Sequence, residues 1–430
     1  MSRTVAFFTL GCKVNQYDSQ AMLERFLEAG YEAREFGEAV NVNVVVTCVV
    51  TSVGEQKSRQ MLHRAKRLNP GAELVAAGCL AQKDAEKLRG LGARLILGNR
   101  HRDEVVRLLE EAVREDIQLV AVEDIRSVPY EELHISNRQG RTRAVMKIQE
   151  GCDRFCSYCI IPHVRGGIRS RSPETIRMEA ERLASGGFQE IVLTGIHLSS
   201  YGRDLDGADL IHAVRCVAES GIPRIRLGSL EPLAATEDFV NALTKIPQVC
   251  PQFHLSLQSG SDTVLRRMRR QYTSADYMLS AMRLKAAFPS CALTTDVLVG
   301  FPGETEDEFS QTLSFCRTVG FTKMHVFPFS SRAGTAAEKM AGQLSRAVKA
   351  ERAARMSALD RELSEAFRSR MLATVQDVLF EQHAAKGEAE GYTPQYLLVK
   401  ARGGVPGRIQ PVRLDTLEGE GFRGTLIPST

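Results

Sequence analysis

Tryptophan is absent from this chain of 430 residues, and aromatic residues make up only 6% of it. No apolar run approaches the roughly 20 residues needed to cross a bilayer. The opening MSRTVAFFTLGCK lacks the longer apolar stretch and small-residue cleavage site of a secretory signal. Charge of one sign is also scarce, with 56 Lys and Arg against 52 Asp and Glu and a net charge of +4. A membrane-spanning or secreted protein is therefore not expected, and the cytoplasm is the expected compartment. The slight basic excess permits a nucleic-acid partner without requiring one. A content of 43% hydrophobic and 25% charged residues is that of a globular protein, and the length predicts two to three domains.

Cysteine, by contrast, is plentiful: there are ten. A reducing cytoplasm disfavours a disulfide framework, which leaves metal ligation or buried thiols. Three cysteines crowd into GCDRFCSYC as Cys152, Cys156 and Cys159. Zinc sites usually take paired C-x2-C units or histidines at set offsets. C-x3-C-x2-C has neither, and His163 follows only beyond Pro162. A four-iron cluster is held by thiolates, one per iron. Three thiolates leave one iron open for a substrate or cofactor. Zinc or plain structural thiols are the competing readings. Cys216, Cys250, Cys291 and Cys316 lie on apolar segments without ligand spacing and read as small buried hydrophobes.

Strand and helix signals alternate over residues 1–120: VAFFTL, VNVVVTC, ELVAAGC and ARLILG, with helices expected over Ser19–Ala29, Thr51–Leu68, Asp84–Arg89 and Arg102–Arg114. That pattern predicts a parallel α/β sheet covered on both faces. Cys12, Cys48 and Cys79 each follow a predicted strand. All such turns lie along one edge of a parallel sheet, so the topology predicts that these three converge as a second triad. Residues 121–142 read as a linker. Over 143–368, AVMKIQ, EIVLTG, RIRLGS, FHLSL, LTTDVLVG and KMHVFPF predict a (β/α)6 partial TIM barrel, closed by a long helix over Ala341–Leu372. Residues 369–430 carry short strands between glycines and predict a small β-barrel.

TLGCKVNQYDS, KIQEGCDRFCSYCIIPHVRG, LTGIHLSSYG, LSLQSGSD and TDVLVGFPGET together resemble the radical S-adenosylmethionine methylthiotransferases, over nearly the whole chain. The terminal barrel is similar to that family's TRAM module. The resemblance implies a first 4Fe–4S cluster on Cys152, Cys156 and Cys159 that binds S-adenosylmethionine, and an auxiliary 4Fe–4S cluster on Cys12, Cys48 and Cys79. It implies radical abstraction of the adenine C2 hydrogen, sulfur from the auxiliary cluster and a methyl group from a second S-adenosylmethionine. It also implies tRNA, held at its anticodon loop, as substrate, and a flavodoxin or ferredoxin as electron donor. GCKVNQYDS resembles the branch acting on N6-threonylcarbamoyladenosine. The branches acting on isopentenyladenosine or on a ribosomal-protein aspartate more often read GCQMN and GCPKN. Thr47 departs from the asparagine expected before Cys48.

Tyr158 stands where that family places adenine beside the cluster. Gly195, Glu231, Gln258 and Ser259 lie at or just after predicted strand ends, and are candidates for S-adenosylmethionine contacts. Ordinary turn chemistry for Gly195, and structural hydrogen bonds for Glu231 and Gln258, are the alternatives. His163 and His197 read as structural histidines. Arg165, Arg169 and Arg171, and the run Arg266, Arg267, Arg269 and Arg270, are candidates for the RNA path. Lys57, Arg59, Arg64, Lys66 and Arg67 share one helix and read more simply as a solvated face. The terminal barrel holds seven Lys or Arg and seven Asp or Glu from Ser369 onward, so its charge alone does not argue for RNA. An iron–sulfur protein that senses redox state on RNA is the non-enzymatic alternative; two separate triads argue against it, since sensing requires one cluster.

Overall fold

The computed structural model describes residues 3–135 and 142–428. The first sheet contains β1 (Arg3–Thr9), β2 (Tyr31–Arg34), β3 (Val42–Thr47), β4 (Glu73–Gly78), β5 (Leu95–Leu97) and β6 (Leu119–Ala121), in the order β2-β1-β3-β4-β5-β6. Every pairing is parallel. Strand β3 is VNVVVT and is buried at all six positions, as a strand covered on both faces should be. Val42, Val44 and Val46 pack on one side with Phe26 and Leu109, and Val45 packs on the other with Leu62 and Ala65. The alternation of side chains along a strand thus feeds two helical layers from one β-branched run.

Two departures from the sequence expectation stand out here. The first helix begins at Lys13 and not at Ser19, and β6 extends the sheet into the start of the expected linker. The linker's residues 136–141 lie outside the described residues.

The second unit contains β7 (Arg143–Glu150), β8 (Arg169–Ser170), β9 (Glu190–Gly195), β10 (Arg224–Leu227), β11 (Ser229–Leu230), β12 (Gln252–Leu255), β13 (Ala292–Val299) and β14 (Lys323–Pro328). β10 pairs with β9 and β11 with β12, so a single stretch kinked at Gly228 serves two four-stranded sheets. A side chain at Gly228 would come within 3.0 Å of the Leu193 carbonyl oxygen, so the glycine eases this close approach. β8 pairs antiparallel with β7; counting β10 and β11 as one strand, the others are the expected six parallel strands. Ala144, Met146, Ile191, Leu193, Ile225, Phe253 and Leu293 face the helices in one core. The opposite, concave face carries polar residues, among them Glu190, Arg226, Gln252, His254, Thr294 and Asp296.

The last unit is a closed antiparallel-rich barrel of β15 (Val375–His383), β16 (Glu388–Tyr392), β17 (Leu398–Arg402), β18 (Ile409–Glu418) and β19 (Gly421–Leu426), ordered β15-β16-β17-β19-β18. The helix Arg346–Met371, capped by the Ser345 hydroxyl, leads into it. Met356 and Leu359 of that helix belong to the core of the large barrel, and Phe367 and Met371 to that of the small one. A second attachment lies at the amino ends of β7, β9 and β10. There Arg226 forks onto Glu190 at 2.8 and 3.1 Å and donates to the Pro394 carbonyl at 2.9 Å. Arg224 donates to the Tyr392 carbonyl, and Arg143 pairs with Glu381 and lies over the stacked rings of Tyr392 and Tyr396.

Removing one partner of a buried pair strands the other. Arg226→Ala is therefore expected to destabilise this junction by about 3–5 kcal/mol, seen as faster proteolytic release of the terminal barrel and a lower thermal midpoint. Release at the wild-type rate would show that the attachment rests on the helix alone.

Candidate functional site

Cys12, Cys48 and Cys79 stand at the carboxyl ends of β1, β3 and β4, as the parallel topology requires. Asn15 in the next turn donates to the Leu10 carbonyl at 2.6 Å and to the Thr47 carbonyl at 3.0 Å, tying the first two ends together. Thr47, unexpected from the sequence, supplies the third tie: its hydroxyl donates to the Ala77 carbonyl and accepts from the Leu80 amide. The backbone at Gly11 has φ of +105°, and a side chain there would come within 3.1 Å of Cys48 Sγ. One at Gly54 would come within 3.6 Å of the same sulfur. Space is thus kept around Cys48. The three cysteines are mutual electrostatic neighbours, and burial pushes the Cys48 thiol up to about 11. Cys12 is exposed, whereas Cys48 and Cys79 are buried.

The loop carrying Cys152, Cys156 and Cys159 follows β7 at the carboxyl end of the large barrel. Gly151, at φ of +76°, begins it, and a side chain there would collide with the Gly167 carbonyl. The Cys152 amide donates to the Gly166 carbonyl, the Cys159 amide to the Cys156 carbonyl, and Ser157 binds the Met268 and Arg267 carbonyls. Burial raises the Cys152 thiol to about 11 and the Cys159 thiol to about 12. Arg270 Nη1 lies 3.2 Å from Cys156 Sγ.

Glu231, 4% exposed, sits beside this loop, bonded to Arg154 at 2.6 Å and lying 3.3 Å from His197 and 3.6 Å from Arg270. Burial pushes the Glu231 carboxyl up, but these partners bring it below its ordinary value. His197, read from sequence as structural, belongs to this cluster; only its carboxylate partner, distant in sequence, reveals that. Tyr158 packs edge-on to Phe301 at 6.4 Å. At Gly195 a side chain would strike Gln149 at 2.8 Å, so the glycine lets the ends of β7 and β9 approach. Gln258 holds φ of +67°, with its amide donating to the Asp296 carbonyl. Ser259 is corrected: it is fully buried, and its hydroxyl is taken up by Thr312 and the Ser261 amide.

The donor sets suit clusters better than single ions. Among the described residues, no three His, Cys, Asp or Glu side chains group as ligands of one metal ion. A four-iron cluster spreads its thiolates over separate irons. Thiols raised this far by burial also need a cationic centre to ionise at neutral pH, and an arginine already stands against one sulfur of each triad.

The arginines assigned from sequence to RNA divide into two groups. Arg165, Arg169 and Arg171 are corrected: all three are buried and out of reach of phosphate. Arg171 pairs with Glu179, Arg169 donates to the Ile125 and Arg165 carbonyls, and Arg165 enters a buried ion network. That network joins Asp18, Arg102, Glu131, Lys147, Glu150 and Arg165. Burial raises the carboxyls of Asp18 and Glu150, but the surrounding Arg and Lys side chains reverse this and hold both below their ordinary range. Arg267 forks onto Glu308 at 2.9 and 2.7 Å, and Arg270 faces Cys156, which leaves Arg266 and Arg269 exposed.

Comparison with known proteins bears on what this arrangement does. The Radical SAM superfamily profile matches residues 146–316, and that of Uncharacterized protein family UPF0004 matches residues 4–98. The chain is 40% identical to the threonylcarbamoyladenosine tRNA methylthiotransferase MtaB of Bacillus subtilis, over 93% of this chain and 90% of that protein. It is 36% identical to the tRNA-2-methylthio-N(6)-dimethylallyladenosine synthase of a Parafrankia species, over 89% and 79% respectively. In fold it is similar to the radical S-adenosylmethionine methyltransferase TsrM of Kitasatospora setae, with a TM-score of 0.57 and 14% identity over 79% of this chain and 74% of that one. With relatives this similar along almost all its length, the chain belongs to the radical S-adenosylmethionine tRNA methylthiotransferases.

Proposed function

We propose that the protein converts N6-threonylcarbamoyladenosine in the anticodon loop of tRNA to its 2-methylthio derivative, in the cytoplasm. The reading is supported by identity of 40% to an enzyme named for that substrate, and by Arg165, just after the second cysteine loop, reaching the sulfur of Cys79. Residues 1–120 would form the sulfur-donating unit, 121–142 a linker, 143–368 the radical barrel and 369–430 the TRAM-like barrel.

Cys152, Cys156 and Cys159 would hold one 4Fe–4S cluster and leave one iron to S-adenosylmethionine, and Cys12, Cys48 and Cys79 would hold the other. When bound, these groups supply hydrogen abstraction from an unactivated adenine carbon, sulfur and a methyl group, chemistry that no side-chain base provides. The protein's part is to bind and orient. Glu231, fixed by Arg154, His197 and Arg270, presents an anionic edge where a sulfonium cofactor's amino group can dock. Tyr158, Gly195 and the Gln258 backbone frame the same strand ends. The polar concave face, with His254, Thr294 and Asp296 across β12 and β13, suits a threonylcarbamoyl group better than an isopentenyl chain, which would call for an apolar wall. Arg266 and Arg269 offer exposed charge to phosphate. A flavodoxin or ferredoxin would deliver single electrons.

Two measurements test this reading. In tRNA from a strain lacking the gene, nucleoside mass spectrometry should find 2-methylthio-N6-threonylcarbamoyladenosine gone and its unthiolated precursor accumulated. Loss of the isopentenyl derivative instead would overturn the substrate assignment. In reduced, reconstituted protein, Cys156→Ala should abolish 5′-deoxyadenosine formation, whereas Cys48→Ala should retain it and lose methylthiolation. Normal cleavage by both variants would refute the division of labour.

A further inference from the structure

Arg165 ends the short helix Ile161–Arg165 that follows the second cysteine loop, yet its side chain leaves the barrel and enters the edge of the first sheet. It is 0% exposed, among the largest fully buried side chains of the chain. Its Nε lies 3.2 Å from Cys79 Sγ, Nη2 donates to Asn15 Oδ1 at 2.5 Å, and Nη1 donates to Asp18 at 3.1 Å and Glu150 at 2.9 Å. Every edge of the guanidinium is therefore used, and one edge is spent on a sulfur. Asn99 Nδ2 approaches the same sulfur at 3.8 Å and donates to the Val164 carbonyl at 2.7 Å.

The charges around it point the same way. Four cations (Arg102, Lys147, Arg165 and Arg169) share the buried volume with three carboxylates (Asp18, Glu131 and Glu150). Arg169 gives its N–H groups to backbone carbonyls and faces Glu150 electrostatically. The carboxylates take Nη1 of Arg165, and the acceptor left for its Nε–H is Cys79 Sγ. A buried charged donor left without an acceptor is costly, and on this edge of Arg165 the acceptor is that sulfur.

We propose that Arg165 is a positioning residue for the N-terminal cluster: by donating to the Cys79 sulfur it favours the cluster's more negative, reduced state and so sets its potential. The inference rests on the reading that Cys12, Cys48 and Cys79 hold a cluster. Hydrogen bonds to ligand sulfurs and local net charge are what tune such potentials, and a charged donor makes the stronger bond. Because Arg165 belongs to the helix after Cys159, the residue that tunes one cluster is covalently tied to the loop holding the other. Arg270 stands in the equivalent position at Cys156, with Glu231 as its carboxylate partner.

The test uses anaerobically reconstituted full-length protein. Arg165→Lys keeps the positive charge and removes the Nε–H donor. Iron and sulfide should stay at two clusters, and the change that S-adenosylmethionine causes in the spectrum of the Cys152–Cys159 cluster should persist. The N-terminal cluster should become at least tenfold harder to reduce at a given potential, about 59 mV for a one-electron couple. Wild-type protein carrying 15N-arginine provides a second arm that needs no variant. Pulsed EPR of the reduced N-terminal cluster, separated from the other by the latter's response to S-adenosylmethionine, should show an arginine nitrogen coupled through sulfur. This arm decides alone if the variant does not fold. An unchanged potential with both clusters present, or no arginine coupling in the wild type, overturns the proposal. A wild-type protein that binds only one cluster overturns instead the reading on which it rests.

Discussion

Six charged side chains buried between the first sheet and the large barrel set the geometry on which both cysteine sites depend. Lys147, fully buried on β7, meets Asp18 at 2.5 Å and Glu150 at 3.2 Å, with the rings of Tyr17 and Tyr130 on either side. Arg102, just before the helix Val105–Arg114, reaches the same carboxylates. Burying such a set is expensive, and an apolar interface of equal volume would hold at least as firmly. What an ionic interface adds is direction: each fork accepts its carboxylate in a narrow range of angles. The first sheet is thereby held against the barrel in one register, with the helix that follows Cys159 packed against the strand end bearing Cys79.

The two sites solve the same problem with the same parts. Each takes its cysteines from strand or loop ends at the carboxyl edge of parallel strands, where the backbone turns and side chains are free to converge. Each places an arginine against one sulfur at 3.2 Å. They differ in what balances the arginine. At Cys156 it is Glu231, itself shared with Arg154 and His197, so the carboxylate can also serve a ligand. At Cys79 it is the interface network, which is sealed from solvent and serves only to hold. The difference fits one site that must exchange its cofactor and one that must retain its cluster.

Much of this was legible in the sequence wherever apolar periodicity or ligand spacing carried the signal. The β-branched run of β3, the cysteines after strands and the six barrel strands lie where pattern placed them. The reading failed where polar side chains are buried. A helix expected from Ser19 misses the first turns from Lys13, where the polar Asn15 and Asp18 are buried in the interface. Arg165, Arg169 and Arg171, a basic run just after the second triad, are buried too, although arginine is ordinarily a surface residue. Strand β16, with its Glu388, Glu390 and Gly391, has little β propensity and is held by its neighbours on both sides. Partners 84 to 150 residues away in sequence explain why no local pattern could reveal these contacts.

The helix Arg346–Met371 spans 26 residues, about 39 Å, and ends inside the core of the terminal barrel, while Arg224 and Arg226 grip that same barrel at its other side. A body fastened at two points tolerates no change in phase between them. Inserting one residue into this helix would turn everything beyond it by about 100° and advance it by 1.5 Å, tearing Pro394 and Tyr392 from their arginines. Length variation among such chains should therefore collect in the hairpins of the small barrel, and the helix should keep its residue count even as its exposed side chains drift.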